Sequence, residues 1–225
     1  MAAIESASSD GQMQNLLTPD KAFIFRITHR DNLPWIVVNG LHCANSDSRD
    51  PNFVPIGNAE LIGKRNTRGI PPPLGGTLSD YVPFYFTPRS PMLLNIKTGY
   101  NGIRQRRNEE IVVLVTSLPH LRKKNIPFLF TDRHAYLAAA RFTDDLTKLN
   151  AIDWDILKAS DFKRDNDDLG KMERYQAEAL VHRHVPFDAL IGVACFSDAS
   201  KDAVNKILDG SPLADKALKK PSWYF

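Results

Sequence analysis

The sequence GGTLSDYVPFYFTPRSPM at residues 75–92 joins a glycine turn, a short aromatic segment and a Pro-Arg-Ser-Pro turn. Residues 82–86 are apolar or aromatic and predict a strand. Ser90 is suited to cap the helix that follows, because its hydroxyl can accept a hydrogen bond from a free amide of the first turn. Pro91 is tolerated at the first helical position, and Gly99 favours the end of the helix. The stretch therefore predicts a strand that leads through a rigid turn into a helix.

A second segment, ERYQAEALV at residues 173–181, places an acidic side chain among residues suited to burial. Glu178 is flanked by Ala177 and Ala179 and followed by Leu180. A lone carboxylate in such surroundings is costly unless another group binds it. We therefore expect a partner for Glu178, and both a catalytic carboxylate and a buried structural ion pair fit this pattern.

The composition indicates a soluble globular protein. With 225 residues, 43% of them hydrophobic and 24% charged, the chain can form one well-packed domain. We expect a disordered or frayed N-terminus at residues 1–18, followed by a single domain at residues 19–225. No apolar run approaches the length of a membrane span, so we predict a cytoplasmic protein with no membrane contact.

The cysteines indicate a reducing compartment. Cys43 and Cys195 are the only two, and neither has a second Cys or His at metal-ligand spacing. We therefore expect no structural disulfide and no metal site. His182 and His184 share one face of an extended chain, but the sequence shows no third ligand near them.

The order of predicted elements favours the α+β class, because strands dominate and do not alternate strictly with helices. The run IVVLVTS at residues 111–117 is apolar in its first five residues, four of which are β-branched, and is the best candidate for a central strand. Other strands are expected at residues 23–27, 82–86, 128–131 and 190–196, with 223–225 as an edge strand. Helices are expected at residues 33–39, 91–98, 135–142, 146–157 and 199–208.

A long segment with little periodicity, residues 45–76, contains at most a short helix near 59–64. A loop of this length in a compact domain is usually functional or disordered. It carries Lys64, Arg65 and Arg68, and arginine suits phosphate groups because of its bidentate geometry. A solvated loop face is the more ordinary explanation for the same three cations.

Polar residues follow two predicted strands. The cluster THRDN at residues 28–32 stands at the end of the first strand, where it could bind a ribose or a carboxamide, although Asp31 and Asn32 could also do no more than cap the next helix. Arg133 and His134 follow the strand at 128–131 and could face a site beyond its end. The sequence leaves both possibilities open at each place.

Four stretches resemble one known family. Residues 27–33, 75–92, 127–134 and 175–178 are similar to the DarT family, DNA ADP-ribosyltransferase toxins of DarT–DarG toxin–antitoxin pairs, and the likeness extends over nearly the whole chain after about Lys21. It implies an ADP-ribosyltransferase-like fold whose central, mostly antiparallel sheets form an NAD cleft with decorating helices. Residues 47–68 would then form the NAD-binding loop, and residues 134–178 would hold the loop that recognises the target.

The resemblance also implies site residues. Glu178 and Arg65 correspond to the catalytic pair. The residues implied in NAD binding are Arg26, Ile27, Thr28, His29, Leu41, Arg65 and Tyr85. The residues implied in DNA binding are Arg89, Met92, Arg133, His134 and Tyr175.

The implied function is transfer of ADP-ribose from NAD to a base of single-stranded DNA, with release of nicotinamide and a block of replication. Thymine in a short sequence context is the expected acceptor, and guanine is known in some relatives. A macrodomain antitoxin that removes the modification is the expected partner. The alternatives are an enzyme of the same fold acting on RNA or protein, a DNA-binding relative without activity, and plain hydrolysis of NAD.

Overall fold

A computed structural model describes residues 13–225, and within them ten strands and seven α-helices have defined bounds. The strands are β1 (Phe23–His29), β2 (Leu41–His42), β3 (Tyr81–Tyr85), β4 (Ile111–Ser117), β5 (Phe128–Thr131), β6 (Phe142–Thr143), β7 (Glu178–His182), β8 (His184–Val185), β9 (Gly192–Cys195) and β10 (Ala217–Lys219). The helices are α1 (Leu33–Asn39), α2 (Ala59–Arg65), α3 (Pro91–Thr98), α4 (Leu118–Lys123), α5 (Trp154–Ala159), α6 (Lys171–Tyr175) and α7 (Asp198–Leu208).

Eight of these strands form one sheet in the order β10-β9-β4-β1-β3-β7-β5-β6, and β2 pairs with β8 beside it. Every pairing is antiparallel except that of β10 with β9. This arrangement confirms the predicted α+β class. All seven residues of β4 are buried, as expected of a central strand.

The stretch that predicted the strand–turn–helix unit folds as expected. The Ser90 hydroxyl accepts a hydrogen bond from the Leu93 amide at 3.2 Å, and Pro91 begins α3. Gly99 ends the helix in the left-handed conformation at φ 73°, which is least costly for glycine. The turn thus fixes where the chain leaves β3.

Gly40 has a structural role at the edge of the small sheet. Its φ is +78°, and a Cβ atom there would lie 2.4 Å from the carbonyl oxygen of Val185. Only glycine avoids both problems. The close approach lets β2 pair with β8 directly after α1.

Three predicted elements differ from the structure. Residues 135–140 form turns instead of a helix, because polar contacts hold this segment against the cleft (described below) and override its alanine-rich propensity. The predicted helix at 146–157 is a 3₁₀ helix followed by α5, because the Asp153 carboxylate accepts a hydrogen bond from the Ile156 amide and starts a new helix.

The chain end is also different from the prediction of an edge strand. Trp223 lies in a 3₁₀ turn and is fully buried, with its ring 5.2 Å from that of Phe25. The strand at this edge of the sheet is β10, which begins six residues before the predicted one. Burying the large Trp223 side chain stabilises the core more than pairing at an edge would.

The N-terminal prediction covers two parts. Residues 1–12 lie outside the described residues. Met13, Leu16 and Leu17 are buried in the main hydrophobic core, so the boundary predicted at residue 18 is placed too late. Their apolar side chains pack instead of fraying.

We predict that Leu114→Ala lowers the free energy of unfolding by about 2–5 kcal/mol, because it leaves a cavity in the middle of β4. Urea denaturation followed by circular dichroism measures this. Val38→Ala is the control, since Val38 is 81% exposed and should change stability by about 0.5 kcal/mol or less. Equal midpoints and slopes for the two variants would contradict the placement of the core.

Candidate active site

Glu178 begins β7, in the middle of the sheet. It lies opposite Tyr85 of β3 in the strand register. Its amide donates a hydrogen bond to the Thr131 hydroxyl of β5 at 3.1 Å. Pairing with β3 on one side and the hydrogen bond to Thr131 of β5 on the other therefore fix the direction of this side chain.

Both oxygens of the Glu178 carboxylate have protein partners. Oε2 lies 2.9 Å from Arg65 Nη1, and Oε1 accepts a hydrogen bond from the Ala135 amide at 3.0 Å. The side chain is only 3% exposed, so these partners replace water. The expected partner of the buried acid is thus Arg65.

His134 approaches the same carboxylate. Its Nδ1 lies 3.7 Å from Glu178 Oε1 and accepts a hydrogen bond from the Tyr136 amide at 3.1 Å. Because Nδ1 accepts, the ring proton of the neutral imidazole is on Nε2. The ring therefore has a fixed orientation beside the carboxylate.

The carboxylate opens into a cleft made of two cavities. Their volumes are about 180 Å³ and 650 Å³. The walls that they share come from β1, β3 and the long loop, namely Arg26, Phe53, Pro55, Ile62, Arg65 and Pro83. The smaller cavity contains Glu178, Tyr85, Met92, His134 and Tyr136, and the larger contains Leu41 and Trp35.

The smaller cavity carries two arginines, Arg26 and Arg65, and one carboxylate, Glu178, whereas Asp47, Arg49 and Asp50 line the larger cavity. Burial, with a smaller contribution from the Arg65 cation, lowers the pKa of Arg26 to about 10, so Arg26 stays protonated at neutral pH. Arg26 Nε and Arg65 Nη2 are buried and have no hydrogen-bond partner within residues 13–225. Unpaired buried donors with a net positive charge suit a phosphate-bearing ligand.

Tyr85 adds a neutral aromatic ring. Burial, and secondarily the Glu178 carboxylate, raises the pKa of its phenol. The hydroxyl therefore keeps its proton at neutral pH. The ring offers a surface for stacking a flat ligand next to the carboxylate.

A family model described as "DarT: ssDNA thymidine ADP-ribosyltransferase, DarT" matches residues 25–225. The chain belongs to the DarT family. This membership confirms the resemblance inferred from the sequence and the predicted class of DNA ADP-ribosyltransferase.

Curated relatives support this placement in the DarT family. A protein of Escherichia coli O127:H6 (strain E2348/69 / EPEC) named DNA ADP-ribosyl transferase is 50% identical over 209 residues, covering 93% of this chain and 96% of the relative. A protein of the same name from Thermus sp. (strain 2.9) is 38% identical over 209 residues, covering 92% and 98%.

Solved structures of DarT proteins share the fold. The Thermus sp. 2.9 DarT in complex with ADP-ribosylated ssDNA matches with a TM-score of 0.84 at 36% identity, covering 92% of this chain and 98% of that one. The same protein in complex with NAD+ matches with a TM-score of 0.75 at 35% identity, covering 91% and 98%. Both confirm the ADP-ribosyltransferase-like fold.

Of the residues that the DarT resemblance implies for NAD, most border the cleft. Arg26, Ile27, Leu41, Arg65 and Tyr85 line one or both cavities. Their roles in binding stay predictions, but the structure brings them together from strands and loops far apart in the sequence.

Thr28 and His29 do not line either cavity. Both are buried. The Thr28 hydroxyl accepts from Asn32 Nδ2 at 3.0 Å, and His29 Nδ1 accepts from the Asp31 amide at 3.2 Å. The structure therefore does not support direct side-chain contacts with NAD, because both side chains are used within the protein.

The residues implied for DNA divide into two groups. Met92 and His134 line the smaller cavity. Arg89 lies over the Phe225 ring at 4.6 Å, and Arg133 pairs with Glu173 at 3.5 Å. The last two are outside the cavities but partly exposed, and their contacts with DNA stay predictions.

The burial of Tyr175 contradicts the DNA contact that the resemblance implies for it. It is fully buried, and its hydroxyl donates to the carbonyl oxygen of Arg89 at 2.9 Å. A side chain with no exposed surface cannot contact DNA directly. Tyr175 instead ties α6 to the turn before α3.

Asn32 has a role that the sequence did not reveal. Its amide group exchanges two hydrogen bonds with the backbone of Val54, at 2.7 and 3.0 Å, and makes no helix-capping bond. It thereby anchors the long loop to the sheet. Only the tertiary contact distinguishes this role from a cap, because the local sequence fits both.

Tyr136, Phe53 and Ile62 also line the cleft without having been singled out in the sequence. Phe53 and Ile62 are 42% and 43% exposed. Such exposed apolar side chains around a cavity mark a ligand surface. No helix within residues 13–225 is long and apolar enough to span a membrane, and no group of metal-binding side chains is found in the same part of the chain.

We predict that Asn32→Ala weakens NAD binding about tenfold, because it unpairs the half-buried backbone N–H and C=O of Val54, at a cost of about 1–3 kcal/mol, and loosens the loop. Calorimetric titration with NAD measures this. Asn205→Ala is the control, since Asn205 accepts a backbone hydrogen bond from Ala217 at 3.3 Å far from the cleft. Unchanged NAD affinity in folded Asn32→Ala would exclude the anchoring role.

We predict that Arg65→Met lowers the free energy of unfolding by up to about 3 kcal/mol, the low end for a broken buried pair, because it leaves the Glu178 charge unpaired. Adding Glu178→Gln to this variant should restore most of the loss, since it removes that charge. Chemical denaturation of the single and double variants measures the coupling. Additive losses would show that the two side chains do not stabilise each other.

Proposed function

We propose that the protein is a toxin that transfers ADP-ribose from NAD to a base of single-stranded DNA. The observation that carries this proposal is the buried ion pair of Glu178 with Arg65. Glu178 lines the smaller cavity and Arg65 lines both cavities. Arg26 Nε and Arg65 Nη2 have no hydrogen-bond partner within residues 13–225. The relatives named DNA ADP-ribosyl transferase and the Thermus DarT complexes with NAD+ and ADP-ribosylated ssDNA support it. NAD is accordingly the co-substrate.

On the donor side, Arg26 and Arg65 supply the charge that a pyrophosphate requires. When the bond from ribose to nicotinamide breaks, its electron pair leaves with nicotinamide and positive charge develops on the ribose. The fixed Glu178 carboxylate stabilises that charge. Tyr85 is placed beside it and would stack on nicotinamide.

On the acceptor side, a base nitrogen forms the new bond to the ribose carbon and gives up its proton. Glu178 is the nearest carboxylate in the cleft and would take that proton. An accessible base is needed because duplex pairing and stacking hide these atoms, which favours single-stranded DNA. Thymine is the proposed base, in agreement with the description of the family model.

The wider biology follows from the same family. Modified template bases would block replication, and a macrodomain antitoxin of the DarG type would remove the modification. Cytoplasmic action fits a DNA target. These parts of the proposal are tested by toxicity on expression and by rescue with an antitoxin encoded next to this gene.

RNA and protein are the competing acceptors, and water would give plain NAD hydrolysis. The decisive experiment incubates the purified protein with NAD and a panel of single-stranded DNA and RNA oligonucleotides, and weighs the products by mass spectrometry. A gain of one ADP-ribose on DNA alone supports the proposal, and fragmentation identifies the base. A gain on RNA or on protein alone would replace it.

We predict that Glu178→Gln lowers the rate of transfer by about 10²–10⁴-fold, because it removes both charge stabilisation and the proton acceptor. The rate of nicotinamide release in the presence of DNA measures this. Glu60→Gln is the matched control, because Glu60 is exposed on α2 and pairs with Lys64 at the surface. Equal rates for the two folded variants would rule out Glu178 as the catalytic carboxylate.

A further inference from the structure

Arg68 connects two segments that both border the cleft. It stands in the last third of the long loop (residues 45–76), where its carbonyl accepts a hydrogen bond from the Leu78 amide at 3.0 Å. Its side chain reaches away from the loop. Nη2 donates to the carbonyl oxygen of Leu137 at 2.9 Å, and the guanidinium lies 5.9 Å from the centre of the Phe142 ring.

The segment that Arg68 contacts is the turn at residues 132–141, here called the acceptor turn. It presents His134 and Tyr136 to the smaller cavity. Its own ends are closed by a hydrogen bond from the Arg141 amide to Asp132 Oδ1 at 3.0 Å. Inside the turn the Leu137 amide donates to the carbonyl oxygen of His134 and the Ala140 amide to that of Leu137, each at 3.1 Å. These single turns do not continue into a helix, so the shape of the segment also depends on side-chain contacts.

A small hydrophobic cluster separate from the main core supports the same contact. Ile70 and Leu74 enter it from the long loop, and Ala135, Tyr136 and Phe142 enter it from the acceptor turn and β6. The two segments therefore pack on each other as well as on the sheet. Movement of either one would disturb the other.

Arg65 contacts the Glu178 carboxylate directly, and Arg68 acts on it indirectly through the acceptor turn. Arg65 contacts Glu178 Oε2, while Arg68 holds the turn whose Ala135 amide contacts Glu178 Oε1. The four-residue segment 65–68 thus joins the loop on the donor side to the turn on the acceptor side. A shift of Leu137 would displace His134 and Tyr136 relative to the carboxylate.

We propose that Arg68 is a positioning residue that holds the acceptor turn in the orientation needed for the incoming base. This inference rests on the proposed function. Arg68 acts through Leu137 and Phe142 and does not line either cavity itself. Its loss should therefore disturb acceptance of the base more than cleavage of NAD.

The expected signature is a change in the fate of the ADP-ribose. Nicotinamide release without DNA depends on Glu178 and the donor side, which Arg68 does not contact. Attachment to DNA requires the base within bonding distance and correctly oriented, and a misplacement of about 1 Å can cost about 100-fold. Water then intercepts the ribose cation more often.

The experiment compares Arg68→Met, Arg68→Lys and Arg122→Met in one reaction with NAD and the DNA acceptor found for the wild type. Arg122 is the matched control, because it also donates to a backbone carbonyl (Asp144) and lies 5.0 Å from a ring (Phe128), but it is outside the cleft. Labelled NAD gives the amounts of free and DNA-bound ADP-ribose. The KM for NAD is measured in parallel.

For Arg68→Met we expect kcat for DNA transfer to fall about tenfold or more. Nicotinamide release without DNA and the KM for NAD should change less than about twofold, since the ion pair of Glu178 with Arg65 does not involve the acceptor turn. Arg68→Lys should recover part of the transfer, because an ammonium group can still donate to Leu137. Arg122→Met should behave as the wild type.

Undiminished transfer by Arg68→Met would overturn the positioning role, and so would an equal loss of transfer and of nicotinamide release. If Arg68→Met does not fold, Arg68→Gln decides, because its shorter amide falls short of Leu137 and should show the same separation. Failure of the proposed function gives a different result. The wild type itself would then modify no DNA, and the positioning role would be overturned as well.

Discussion

The contact between Glu178 and Arg65 is the constraint on which the cleft depends. The two residues are 113 positions apart, and a carboxylate that is 3% exposed needs a cation to stay charged. The cation comes from α2, a helix with no fully buried residue. The sheet therefore holds the acid rigidly, whereas the loop holds its partner through a few polar contacts.

This difference separates the fixed from the adjustable walls of the site. Glu178, Tyr85 and Arg26 stand on three neighbouring strands, β7, β3 and β1, whose backbone pairing sets their spacing. Arg65 comes from the short helix α2 within the long loop, Phe53 from the same loop and Tyr136 from the acceptor turn. Because loops can move without breaking the sheet, the cleft can accept and release a large co-substrate while the carboxylate keeps its place.

The polar contacts of the loops explain how adjustable walls still meet accurately. Asn32 ties the long loop to β1 through Val54, and Arg68 ties the same loop to the acceptor turn through Leu137. Each contact joins a side chain to a backbone group, so it sets the path of the chain regardless of neighbouring side chains. Few such contacts are needed, because the small cluster around Ile70 adds apolar packing.

The sequence by itself determined the strands with continuous apolar runs, above all β4, and the caps of α3, because hydrophobic period and capping chemistry are local properties. It also marked Glu178, since a carboxylate in a segment otherwise suited to burial needs a partner. The sequence did not determine that residues 135–140 form turns, that Trp223 enters the core, that Tyr175 is buried or that Asn32 anchors a loop. Those outcomes were decided by tertiary structure, because each depends on a partner distant in the chain whose packing or hydrogen bond outweighs local preference.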